Sequence, residues 1–189
     1  MAEEYTNYKR LNRTLVHHGA ITDYYTDEVQ LPDGRTEMWD FIDHKGAAAA
    51  VAVLDDGRLV MVRQFRNALD RLTLEIPAGG LQYRGEPTMD AAKRELREET
   101  GFVATSMELL LNLRTTVAFC NEKIDIYLAR GLVRGEQDLD DDEYLGVEIH
   151  DLEELKEMVF RGEIEDAKTI AGILACADRL SKEENAPRG

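Results

Sequence analysis

One stretch constrains this chain more than any other: Gly80 to Phe102, GLQYRGEPTMDAAKRELREETGF, which holds Glu86, Glu95, Glu98 and Glu99. It reads as loop, helix and stop. Pro87 suits the first turn of a helix, where a missing N–H costs nothing. Ala91, Ala92, Leu96 and the long charged residues around them favour helix. Gly101 supplies the left-handed residue that ends it. On that helix Glu95 and Glu99 stand four apart and Glu95 and Glu98 three apart, so their side chains rise from one face. Clustered carboxylates repel unless positive charge sits among them, and a hard divalent cation with oxygen ligands meets that need.

The rest of the chain falls into strands and helices around this segment. Residues 1–44 read as a small antiparallel β element, with LPDGR (Leu31 to Arg35) as the turn between two extended runs. Gly46 to Leu54 and Arg58 to Phe65 flank Asp55-Asp56-Gly57, a hairpin signature. The alanine run before that turn is helical by propensity, but its Val-Ala-Val ending and its position favour a buried strand. Leu109 to Leu113 and the alternating Lys123 to Ala129 read as further strands. Gly135 to Glu143 is an acidic loop. VEIHDLEEL is a strand followed by a helix start with Asp151 as N-cap. Asp166 to Leu180 has helical periodicity through Ile170, Ile173, Leu174 and Ala177. The expected organisation is 1–44 as the N-terminal β element, 45–180 as the main domain and 181–189 as a frayed tail. Strands alternating with helices predict the α/β class: a mixed sheet in an α/β/α sandwich.

Composition narrows the function. Of 189 residues 43% are hydrophobic, enough for a packed core, and the formal net charge is −15. That balance argues against nonspecific binding to nucleic acid or to an anionic membrane. No long apolar run occurs, so no membrane partner is expected. Cys120 and Cys176 lack metal-site spacing, and a reduced cytoplasm is the simplest setting.

The fixed positions Gly80, Glu86, Arg94-Glu95-Leu96, Glu98-Glu99, Gly101 and apolar Phe102 resemble the Nudix box, a long and specific pattern. From about residue 15 to 178 the chain also resembles the ADP-ribose pyrophosphatase branch, through LPDGR, VRQFR, LEIPAGG, FCNEKIDIYLARGL and GEIEDAKTIAGILA. The resemblance implies the same α/β/α sandwich, and hydrolysis of a nucleoside diphosphate linked to another group with help from a divalent metal, Mg²⁺ or Mn²⁺. The branch is dimeric, and residues 1–44 are too few to hold a core of their own, so a homodimer is expected. A non-catalytic nucleotide-sugar sensor is the alternative of another class. Such domains often lose box glutamates, and none is missing here.

Residue by residue, Glu95 and Glu99 are the first expected metal ligands, from their shared helical face. Glu98 is placed to share a second metal. The resemblance adds the backbone carbonyl of Ala78, in a bend that Pro77 and two glycines would sharpen. Arg94 is either a surface ion pair with Glu98 or a clamp that aims the carboxylates. Glu86 either favours the helix N-terminus or holds a metal through water. For the general base, the resemblance points to a late loop. There Glu143 matches best, Asp141 is second, and Glu98 is the substitute. Arg58, Arg63, Arg66 and Arg71, opposed only by Asp70, form an expected positive island. Arg66 matches the family's phosphate arginine, while Arg63 lies on the opposite strand face. Glu75, Trp39 and Phe119 complete the expected substrate contacts, Trp39 as a stacking surface for a base. One departure stands out: Thr116-Val117-Ala118-Phe119 replaces the branch's Ser-Pro-Gly-Phe, which leaves the sugar open between ADP-ribose and another nucleotide sugar such as a GDP-hexose.

Overall fold

The computed structural model describes residues 7–139 and 144–186. They form β1 (Lys9–His18), β2 (Asp23–Gln30), β3 (Thr36–Asp43), β4 (Ala47–Val53), β5 (Leu59–Arg66), β6 (Arg71–Glu75), β7 (Ala78–Gly80), α1 (Thr88–Thr100), β8 (Phe102–Arg114), β9 (Lys123–Arg134), β10 (Leu145–His150), α2 (Leu152–Phe160) and α3 (Ala167–Glu184). Two compact units result. Of the described residues, one contains 7–46 and 114–122; the other contains 47–113, 123–139 and 144–186.

The larger unit is built on β4. The sheet order is β10-β5-β4-β9-β8, with β6 beside β5 and β7 beside β4. β4 runs parallel to β9 and antiparallel to β5 and β7, which share one of its edges: β7 pairs with Ala47–Ala49 and β5 with Ala52 and Val53. The sheet is therefore mixed. Every residue of β4 is buried, which explains the unbroken AAAAVAV run, since a strand covered on both faces shows no polar alternation. Ala49, Val51 and Val53 face a core shared with Leu155, Ile173 and Cys176. Ala48 packs with Ala91 and Ala92, and Ala50 and Ala52 with Leu96. Helices thus cover both faces, and the expected α/β/α sandwich holds. Close approach demands small side chains: a Cβ on Gly172 of α3 would stand 3.0 Å from Ile76 and Val51.

Local signals work as the sequence predicts. Gly101 ends α1 at φ 73°, its N–H bonding the Arg97 carbonyl. Asp151 caps α2 by accepting from the amides of Glu153 and Glu154, and Asp166 caps α3 by accepting from Thr169. α3 continues past Leu180 to Glu184, where Glu183 holds Arg130 at 2.8 Å. β8 and β9 also outrun the predicted strands. β8 lies at the sheet edge with much of its length exposed, so apolar periodicity marks it weakly. Among the described residues no helix is long and apolar enough to cross a membrane.

The smaller unit is the three-stranded antiparallel sheet β1-β2-β3, with the LPDGR turn between β2 and β3 as expected. Arg13 organises one face: its guanidinium bonds Asp27 at 2.6 and 2.5 Å and lies 3.5 Å from the Phe41 ring centroid. The segment 114–122 joins this sheet. Ile42 donates to the Phe119 carbonyl at 2.7 Å, and Asn121 reaches the Asp43 carboxylate and the His44 amide.

Candidate active site

Helix α1 and the bend before it bring the box carboxylates together. Glu86, Glu95 and Glu99 are buried, with Glu98 partly so. Glu99 accepts from the Ala78 amide at 3.0 Å. That tie fastens β7 to the helix through Ala78's own N–H and leaves its carbonyl out of the bond. Arg94 donates through Nη1 to Glu95 at 2.7 Å and to Glu98 at 3.1 Å, and through Nη2 to the Gly80 carbonyl at 3.4 Å. It keeps the ion pair with Glu98 and also bridges to Glu95. Burial works against its charge, but Glu95 and Glu98 outweigh that and raise its pKa. Glu86 accepts from the Gln82 amide at 2.7 Å, which closes the loop before the helix, and stands 3.8 Å from Arg94.

Gly79 has a different purpose from the one its neighbourhood predicts. The expected reason was a sharp turn, yet Gly79 and Gly80 lie in an ordinary strand without positive φ. Space decides instead. A Cβ on Gly79 would fall closer than 3.0 Å to the Cδ and both carboxylate oxygens of Glu95, whereas one on Gly80 would meet nothing within 4 Å. Glycine lets the backbone lie directly against the carboxylate.

The donors here are hard oxygens, with Arg94 among them and Arg97 at 3.3 Å from Glu98, a set suited to Mg²⁺ or Mn²⁺ and unsuited to a soft metal. Among the described residues no three His, Cys, Asp or Glu side chains already form a ligand cage; Arg94 supplies the positive charge to Glu95 and Glu98.

A second polar cluster surrounds Glu75, which is 1% exposed. Arg66 donates to it through Nε at 2.7 Å and Nη2 at 2.6 Å, Thr73 at 2.7 Å, and Lys168 from α3 completes the set. Burial alone would push the Glu75 pKa up. Arg66, Lys168 and Thr73 together overcome it and hold the carboxyl at about 2. Arg66 reaches solvent, its side chain 40% exposed, and it lies within the field of Glu99, which helps raise its pKa behind Glu75 and Asp166. Arg66 thus stands within electrostatic reach of the Glu99 carboxylate on α1.

The positive island does not survive folding. Arg58 pairs with Asp56, Arg63 with Glu148, Arg66 with Glu75 and Arg71 with Glu165. Asp56 is a near neighbour of Arg58 in the chain, whereas β10, β6 and the segment before α3 deliver the other three carboxylates. Arg63 thus pairs across to β10, three residues along β5 from Arg66 and so on its opposite face. Trp39 and Phe119 belong to the smaller unit. Trp39 is 46% exposed and its ring meets Tyr8 at 5.7 Å. Glu143 and Asp141 lie outside the described residues. Sequence reasoning missed Lys168, Asp166, Thr73 and the spatial need for Gly79. The signal for Lys168 was its place in the first turn of a helix, where a cation opposes the dipole.

A family model for the NUDIX domain matches residues 43–173. The chain is 36% identical over 167 residues to an ADP-ribose pyrophosphatase of Bacillus subtilis, covering 87% of this chain and 90% of that protein. It is 36% identical over 177 residues to an ADP-ribose pyrophosphatase of Mycobacterium tuberculosis, covering 93% and 84%. Among solved structures, an ADP compounds hydrolase superposes with TM-score 0.83 over 95% of this chain and 97% of its own, at 20% identity.

Proposed function

The chain belongs to the Nudix hydrolase family, and from that premise we propose that it hydrolyses the pyrophosphate bond of ADP-ribose to give AMP and ribose 5-phosphate. One observation carries the reading: Glu95 and Glu99 lie buried on one face of α1, fastened by Arg94 and by the Ala78 amide, with Arg66 inside the field of Glu99.

Family members use a divalent metal; Mg²⁺, with Mn²⁺ as a substitute, is the proposed ion here. Glu95, Glu99, Glu98 and the Ala78 carbonyl would hold it. When bound, it neutralises the diphosphate and acidifies water. Arg66 contacts the diphosphate through the Nη1 edge that Glu75 leaves uncommitted. Arg94 keeps Glu95 and Glu98 aimed and removes like-charge repulsion between them. Glu143 takes the proton from the attacking water, with Asp141 and then Glu98 as substitutes. Trp39 and Phe119 contact the nucleoside. Residues 1–44 pair two copies into a homodimer, which light scattering would report at micromolar concentration. The reduced cytoplasm is the proposed location.

The sugar is the finer question. Val117, 82% exposed, and Ala118 replace the branch's proline and glycine, which favours a second reading, hydrolysis of another nucleotide sugar such as a GDP-hexose. A metal-dependent release assay over a panel of nucleoside diphosphate sugars tests both. ADP-ribose untouched while a GDP-hexose turns over would refute the substrate. Val117→Pro with Ala118→Gly is expected to change the ranking among substrates.

A further inference from the structure

Lys168 occupies an electrostatically poor position. It is 8% exposed and lies in the first turn of α3, beside the helix's partial positive charge. Desolvating a lysine there costs stability twice over. Its compensation is a shared pair of carboxylates: Glu75, and Asp166 at 2.9 Å. Glu75 in turn carries Arg66 on the same carboxylate. One buried anion thus serves two cations, and the second comes from a distant element at the expense of its own helix.

We propose that Lys168 is a positioning residue that keeps Arg66 available to the diphosphate, an inference that rests on Arg66 being the phosphate contact. Glu75 fixes the guanidinium's direction, but an unshared Glu75 charge would also compete with the diphosphate for it. Lys168 draws off part of that charge while Glu75 still holds Arg66 through two bonds. Asp166 opposes this action, since it competes for Lys168 and adds negative potential at Arg66. Thr169 locks the arrangement to the bend before β7: its hydroxyl accepts from the Ile76 amide at 3.1 Å and donates to Asp166 at 2.6 Å.

The two neighbours therefore have opposite expected effects. With ADP-ribose and saturating Mg²⁺, Lys168→Met raises KM by about tenfold while kcat stays within about twofold, and Lys168→Arg restores KM. Asp166→Asn, which keeps a helix-capping side chain, lowers KM. A merely structural role would raise both KM values or neither. Arg66→Ala separates the two levels of the argument. If Arg66→Ala raises KM but Lys168→Met does not, the inference on Lys168 is wrong and Arg66 remains the phosphate contact. If Arg66→Ala leaves KM unchanged, the reading of Arg66 falls and Lys168 with it. Should Lys168→Met fail to melt as a folded protein, the sign of the Asp166→Asn effect decides: a raised or unchanged KM overturns the proposal.

Discussion

Gly79→Ala makes the sharpest test of the site geometry. The added methyl would stand closer than 3.0 Å to all three atoms of the Glu95 carboxylate group, where ordinary contact is 3.4–4 Å. Backbone strain is not involved, because Gly79 has no positive φ. The carboxylate must retreat by about 1 Å, and misplacing a reacting group by that much costs about 100-fold in rate. Its 2.7 Å bond to Arg94 is stretched or lost, a partly buried charged contact worth about 1–3 kcal/mol. The expected outcome is therefore a folded protein with modestly lowered Tm and kcat/KM for ADP-ribose down about 100-fold. Gly80→Ala is the folding control, since its Cβ meets nothing within 4 Å, and its Tm is expected to match the parent. Full activity in Gly79→Ala would show that Glu95 does not need its observed place, and the site assignment would fail.

Other expectations follow from the same contacts. Glu95→Gln and Glu99→Gln are each expected to lose at least about 10–100-fold in turnover; parent-like rates at saturating Mg²⁺ would remove them from the metal site. Glu143→Gln is expected to lower kcat more than it weakens binding; if it is silent while Glu98→Gln is dead, the base lies on α1. Glu75, held at about 2 against an ordinary 4.5, contributes stability that is fully present above pH 4.5 and lost as pH falls through 2. The depressed pKa corresponds to about 3 kcal/mol. Acid titration of unfolding free energy is expected to show that loss, and Glu75→Gln to remove it; an unchanged slope in the variant would rule out Glu75 as its source.

Much of this protein was determined by the sequence alone, wherever the physics acts over a few residues. Gly101 had to end α1 because the left-handed position belongs to glycine. Asp151 and Asp166 cap helices through amides two or three residues on. The hairpin around Gly57 and the shared face of Glu95 and Glu99 follow from local geometry in the same way. The tertiary structure alone decided who neutralises whom. The arginines of β5 look unopposed along the chain, yet Glu148 lies 85 residues from Arg63, and Lys168 lies 93 residues from the Glu75 that holds Arg66. Gly79 reads as a turn glycine until Glu95, sixteen residues on, fills the space its side chain would need. Charge pairing and excluded volume depend on distance in space, and only the packing of α1 and α3 against the sheet brings these groups within reach of one another.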